Sequence, residues 1–323
     1  MTEYQNTLNY IINKTQVEIV KIKSYLASNR IILIPLAQKM GGKTYYLQFL
    51  IEALGQEYFA TISAGDLIRD IKKKLQNPIE KNAYILKLKT QFLAGVDNKD
   101  EAVSQIAHSD SSTLVPDEII FTLLENEIRQ TPLNKSFILD GIPRTIRQIS
   151  YIKRLEEHIK CPIFLFYFDT SYEVLDIRAN SRRICPVCKT DYNLISMPTR
   201  NLIMEGNEVV MLCDKCQNTK LIKKSGDEGK DQILKARQKY EDLIYHIKET
   251  LKEELVIIKT CIPCNDYNGP KEEVNKAFTY QNKNGQVTAQ SLLQKVATQA
   301  GHVYPLSPEF IVTFMLKEIA SSL

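Results

Sequence analysis

The sequence lacks the features that would send it to several common classes. No apolar run approaches the ~18 residues of a membrane-crossing helix; the run from Ile163 to Phe168 is only strand-length. No apolar segment with a cleavage site opens the chain, which predicts an intracellular, cytoplasmic protein. A strong excess of one charge is also missing. The net charge is +4 with 25% charged residues, a balance that a few placed arginines explain and that does not suit a nucleic-acid coat. The chain does supply 323 residues, enough to bury a large core as one α/β domain with appendages. Seven cysteines include three Cys-x-x-Cys pairs, which in a reducing compartment point to metal before disulfides.

The most informative stretch is Phe137 to Gln148, FILDGIPRTIRQ. Three apolar residues predict a strand that delivers Asp140 at its carboxyl end, where open α/β sheets bind ligands. Pro143 stiffens the turn after Gly141, and Arg144 projects a planar fork suited to phosphate. Upstream, Ile31 to Leu36 reads as a buried central strand, followed by AQKMGGKTYYLQFLIEAL, a loop that opens a helix ending near Gly55. Gly42-Lys43-Thr44 matches the end of a phosphate-binding loop, in which backbone amides and a lysine hold phosphates. The start of that loop departs from the pattern: Ala37 stands where a glycine is standard. A β-carbon at a left-handed position costs about 1–2 kcal/mol. Alternatively, Pro35 begins a loop two residues longer than usual.

Cys185-Pro-Val-Cys188 and Cys213-Asp-Lys-Cys216 bracket a polar, β-rich stretch. Two such pairs predict a four-thiolate zinc site, structural because no ligand position is open. Cys261-Ile-Pro-Cys264 has no second pair left and reads as a loop, and Cys161 as a buried or edge thiol. Residues 2–29 read as one amphipathic helix carrying Leu8, Ile11, Ile12, Ile19, Ile22 and Leu26 near a 3.6 period. Two further helices are expected around Ala289–Gln299 and Ser307–Ser322. His108 lies in a polar stretch and is expected to be solvent-exposed.

Five segments in order resemble the nucleoside-monophosphate kinase family, and adenylate kinases in particular. DGIPRTIRQ is similar to their DGFPRTxxQ, with Ile142 for the aromatic. SAGDLIRD after the second strand (Tyr58 to Ile62) resembles STGDLLR, Leu114 to Glu118 resembles LVPDE, Arg178 to Arg183 resembles R-x-x-x-R-R, and the cysteines resemble the zinc-bearing lid of bacterial members. Adenylate kinases usually have a second loop glycine where Met40 stands. The resemblance implies a P-loop-type five-stranded parallel sheet with helices on both faces, a small zinc-bearing lid and helical extensions. It divides the chain into a terminal helix (1–29), a kinase core (30–269, with an acceptor-binding excursion at about 63–116 and the lid at about 184–225), and a helical C-terminal extension (270–323).

By the same resemblance the reaction is transfer of the γ-phosphate of ATP to AMP, giving two ADP. Lys43, Asp140, Arg144, Arg182 and Arg237 are the implied catalytic residues, with Mg2+ anchored through Asp140. Gly41, Gly42, Lys43, Thr44, Tyr45, Arg178, Arg182 and Tyr192 would hold ATP. The implied AMP set is Ala64, Arg69, Val115, Gly141, Arg144, Gln148 and Arg237. Gln148 favours adenine, because an amide can meet both a ring nitrogen and an exocyclic amine. Ala64, familiar in the pyrimidine-monophosphate relatives, keeps UMP or CMP open. The arginine usual before the post-lid helix is absent; Lys223, Lys224 and Ser225 occupy that region, and lysine lacks the planar fork. A kinase-like scaffold with weakened catalysis is the alternative, and a nucleic-acid-binding zinc ribbon ranks last. The implied partners are ATP and a nucleoside monophosphate, with no membrane or nucleic acid; a monomer is expected, whose terminal extensions are available to a protein partner.

Overall fold

The computed structural model describes residues 3–93, 95–109, 115–206, 208–216, 219–223, 230–283 and 286–323. Leu114, Lys224 and Ser225, singled out above, lie outside the described residues. Five parallel strands form the central sheet: β1 (Ile32–Ala37), β2 (Phe59–Ser63), β3 (Ser136–Asp140), β4 (Ile163–Asp169) and β5 (Leu255–Lys259), in the order β2-β3-β1-β4-β5. The inner strands β1, β3 and β4 were legible as short apolar runs, as strands covered on both faces should be, whereas the edge strands β2 and β5 leave Thr61 and Ile257 exposed. Alternation along β1 divides its side chains between two cores. Ile32, Ile34 and Leu36 enter one, and Ile31 and Leu33 the other.

The first core is closed by α4 (Ala64–Gln76), α5 (Asp117–Gln130), α6 (Ile146–Ile159) and α8 (Lys230–Thr250). The second is closed by α1 (Glu3–Lys14), α2 (Gln16–Leu26), α3 (Lys43–Leu54) and α9 (Pro308–Ser322). The α7 helix (Tyr172–Ser181) follows β4 and leads into the lid. No described helix is long and apolar enough to cross a membrane.

Pro35 lies inside β1 and does not begin a longer loop. Its missing N–H has a visible consequence. The β1–β3 register runs only through Leu33 and Ile138, whereas β1–β4 pairing continues to Ala37 and Phe168. The sheet therefore parts on the β3 side of β1, beside Asp140.

Two terminal expectations need correction. The first segment is two helices, broken at Thr15, whose hydroxyl donates to Ile11 O at 2.7 Å. Both pack on the domain: Thr7 Oγ1 donates to Glu309 Oε1 at 2.6 Å, and Lys21 Nζ to Ala320 O at 2.6 Å. The expected helix at Ala289–Gln299 is extended chain. Gln286–Leu293 pairs antiparallel with Lys276–Lys283, and Val296–Thr298 with Gly301–Pro305. The final helix is present as α9, and its second-core packing makes it part of the domain. Cys261–Pro263 is a short strand on Gly301–Pro305 in place of the expected loop.

The 276–293 hairpin reaches the lid. Phe278 N–H donates to Ile195 O at 2.7 Å, and the Tyr280 hydroxyl donates to Leu194 O. On the preceding residue, Asn193 Nδ2 donates to Arg178 O at 3.0 Å and its Oδ1 accepts from Ser181 Oγ at 2.9 Å. Lid, α7 and hairpin thus meet at three consecutive residues.

Candidate active site

A cleft of about 660 Å³ opens at the carboxyl ends of β1 and β3, where the sheet parts. Its floor is the loop Gln38–Gly42 and the start of α3. Gly41 N–H donates to Gln38 O at 2.9 Å, and a β-carbon on Gly41 would lie 2.7 Å from Ala37 Cβ, so the turn requires glycine there. Ala37 remains in β1 with an ordinary negative φ and costs nothing. Met40 carries the departure from the loop pattern, at φ 72° beside Gly42 at 85°. A non-glycine residue there stores about 1–2 kcal/mol. Met40 lines the cleft without filling it.

Lys43 opens α3, whose first amides have no helical acceptor and face the cleft as an anion site. Its ammonium is ion-paired with Asp140, each side chain about one-third exposed at 31% and 32%. Thr44 and Tyr45 join the lining. After Asp140, Gly141 takes φ 85° and the Ile142–Pro143 peptide is cis. Arg144 then folds its guanidinium over Gly141, with Nη2 3.1 Å from where a β-carbon on Gly141 would sit. Arg144 is exposed on the cleft wall, and among the described residues it has no acidic partner.

The arginines that the resemblance assigns to ATP and catalysis are engaged within the chain. Arg178 Nη1 donates to Met40 O at 3.2 Å, and Nη2 approaches Tyr46 Oη at 3.5 Å. Arg182 grips Asp191 in a fork, Nε to Oδ1 at 3.0 Å and Nη2 to Oδ2 at 2.9 Å, with Nη1 4.0 Å from Met40 Sδ. Arg237 does not line the cleft. It pairs with Asp176 and lies 4.4 Å over the Tyr172 ring, while Lys239, Tyr240 and Leu243 of the same helix form the lining.

Of the residues expected to hold AMP, Ala64 and Val115 are buried in the first core. Ser63 caps α4 by accepting from Asp66 N–H at 3.3 Å. Arg69 sits outside the cleft lining, exposed and paired with Asp66, and that hydrogen bond holds the Asp66 carboxyl below its usual range against a smaller opposing effect of burial. Gln148 is only 3% exposed. Its Oε1 accepts from Arg144 N–H at 2.7 Å, and its Nε2 donates to Asp117 Oδ1 at 2.6 Å. Thr145 Oγ1 donates to the other Asp117 oxygen at 2.8 Å. Asp117 entered the sequence reading only as part of the LVPDE-like element; an acid in the first turn of a helix is commonplace and carries no mark of this bridging.

Tyr192 is drawn into the cysteine cluster, not the cleft, its hydroxyl 3.7 Å from Cys213 Sγ. The thiols of Cys185, Cys188, Cys213 and Cys216 all lie within 4.8 Å of one another, with Cys188 and Cys213 sulfurs 3.6 Å apart. Bonds of about 2.3 Å to a tetrahedral zinc require sulfurs about 3.8 Å apart, so the set fits. Cys188 is pulled down to about 6, first by its hydrogen bond with the Thr190 side chain, while its neighbours push Cys216 up. Four crowded thiols cannot all ionise without a counter-charge, which a bound cation supplies. Cys161 is buried, its thiol pushed up to about 11 by desolvation, and His108 is exposed.

Chemically, a helix N-terminus, a lysine, an unengaged arginine and a carboxylate face one another across a cleft, which suits a polyphosphate with its metal. No protein-family profile matches the chain. Among curated proteins, an adenylate kinase of Thermotoga neapolitana is 32% identical over 199 residues, covering 61% of this chain and 74% of that protein. Those of Pseudothermotoga lettingae and Fervidobacterium nodosum are 36% and 34% identical over 128 and 131 residues, covering 39% of this chain and 54% of each relative. With nearly three-quarters of the first relative's length matched at 32% identity, the chain belongs to the adenylate kinase family.

Proposed function

We propose that the chain is a nucleoside-monophosphate kinase that moves the γ-phosphate of ATP to AMP, yielding two ADP. The observation that carries this reading is that Lys43, ion-paired with Asp140, and Arg144 line one cleft. Such a transfer needs no covalent intermediate. It needs the acceptor oxygen, phosphorus and leaving oxygen in line, and positive charge spread around the moving group. Lys43 and the amides of α3 would take the donor phosphates at one end of the cleft. Arg144 would take the acceptor phosphate at the other.

Arg178 and Arg182 stand on the donor side, where entering phosphate competes with the Met40 carbonyl and Asp191. Arg237 contributes by exchanging Asp176 for phosphate. Asp140 is the carboxylate that would hold the shell of Mg2+, and the ion supplies charge neutralisation between the phosphates. A zinc ion held by Cys185, Cys188, Cys213 and Cys216 would stiffen the lid, whose small core is Tyr192, Met211 and Leu221 with two of those cysteines. On this reading the core spans about 30–269, the acceptor excursion 63–116 and the lid 184–225.

The second reading, a scaffold with weakened catalysis, is favoured by one feature: Met40 in a left-handed conformation within the phosphate loop. A coupled assay of ATP with AMP, UMP, CMP and GMP in zinc-loaded protein decides between them. Turnover is expected with AMP above the other three. Preference for UMP or CMP would transfer the assignment to the pyrimidine branch, and silence with every acceptor would leave the scaffold.

A further inference from the structure

Gln148 is an unusual recognition group because its amide is already committed. A carboxylate only accepts hydrogen bonds and a backbone N–H only donates. With Asp117 Oδ1 2.6 Å from one end of the amide and Arg144 N 2.7 Å from the other, a single orientation satisfies both. Turning the amide over would set oxygen against carboxylate and N–H against N–H, in a residue that is 3% exposed. One N–H and one oxygen lone pair are left over, in a fixed order.

We infer that Asp117 is a positioning residue that sets the base preference of the acceptor site by locking the direction of the Gln148 amide. The inference rests on the proposed transfer to AMP and on the base-binding role that the family resemblance implies for Gln148. A locked donor–acceptor order suits adenine, whose ring edge offers an acceptor nitrogen beside an amino donor. It opposes a 6-oxopurine, in which that order is reversed. Thr145, donating to the second carboxylate oxygen at 2.8 Å, keeps Asp117 turned toward Gln148.

The test compares AMP with inosine monophosphate, which differs in the 6-substituent and the ring proton. Dissociation constants of both are measured by calorimetry for the full zinc-loaded chain and for Asp117→Asn. KM and kcat are measured alongside. The variant is expected to bind AMP about tenfold more weakly and to lose most of its AMP-over-inosine discrimination, with the KM for ATP and kcat at saturating AMP within about twofold. Glu118→Gln removes the same charge from the same helical turn without touching Gln148, and should leave the ratio unchanged. If Asp117→Asn does not fold, Asp117→Ala, which adds no donor, carries the same expectation. An unchanged ratio in the folded variant, or an equal loss in Glu118→Gln, overturns the inference. Selective AMP binding without turnover would sink the transfer reading while leaving this one standing; no AMP binding at all would sink both.

Discussion

The two walls of the cleft are built on different physical terms. Behind the wall proposed for the acceptor, the Gln148 amide is buried and held at both ends with one N–H and one lone pair to spare, and Arg144 has no acidic partner among the described residues. On the donor wall nearly every cation is occupied: Lys43 by Asp140, Arg178 by Met40 O, Arg182 by Asp191. Binding at the first wall keeps existing hydrogen bonds. Binding at the second must exchange them, and a methionine holds φ 72° in its loop. Affinity for an acceptor base should follow preorganisation, and affinity for a triphosphate should follow how readily ion pairs trade partners.

That contrast can be broken most forcefully at Arg144. Arg144→Ala should lower transfer 10²–10³-fold, about 3–4 kcal/mol of barrier, with no change in melting temperature because no internal partner is lost. Arg182→Ala should slow transfer as well but also cost about 1 kcal/mol of stability by orphaning Asp191, half of whose side chain is exposed. Equal melting temperatures for the two variants would erase the distinction between the walls.

Removing the proposed lid metal is the next largest perturbation. Asp191 belongs to the short lid strand Asp191–Asn193, so a chelator or Cys213→Ser should weaken ATP binding by more than tenfold and leave AMP binding unaltered. Calorimetry with each nucleotide reads both halves of that statement. A parallel loss of AMP affinity would mean that the walls are not separable.

Met40→Gly sharpens the donor side. Relief of about 1–2 kcal/mol of left-handed strain, less about 0.5–1 kcal/mol for glycine's freedom in the unfolded chain, predicts a net gain near 0.5–1 kcal/mol in urea unfolding. Destabilisation would show that the Met40 side chain, through Arg182, contributes more than its backbone costs. Smallest of all, Tyr280→Phe deletes one hydrogen bond to the lid and should raise amide exchange around Leu194 by a few-fold, with little effect on exchange in α4.

What was legible in the sequence divides along physical lines. The three inner strands announced themselves because both of their faces are buried, and the cysteine quartet because thiolate spacing is local. Asp140 and Lys43 were readable from the turn chemistry around them. Side-chain allegiances across the fold were not. Nothing near Arg237 in the chain reveals that Asp176 and the Tyr172 ring will hold it, and Tyr192 gave no sign of turning to Cys213. The segment SLLQKVA is rich in helix formers, yet pairing of Gln286–Leu293 with Lys276–Lys283 overrides that preference. Thr15 gave no distinctive sign that the first segment is two helices, because Thr7, Ile11, Ile12, Val17, Ile19, Val20 and Ile22 in the same run are β-branched too.

The hairpin that touches Leu194 and Ile195 gives the flap over the cleft a latch in addition to its hinge. Asn193 fastens the flap to the end of α7, and the very next two carbonyls are hooked by a ribbon that arrives from far along the chain. A flap fastened twice cannot swing as a free door. If it closes over nucleotide as the proposed transfer requires, it must carry the ribbon with it or unhook from it, and whatever grips that ribbon would then govern the closing.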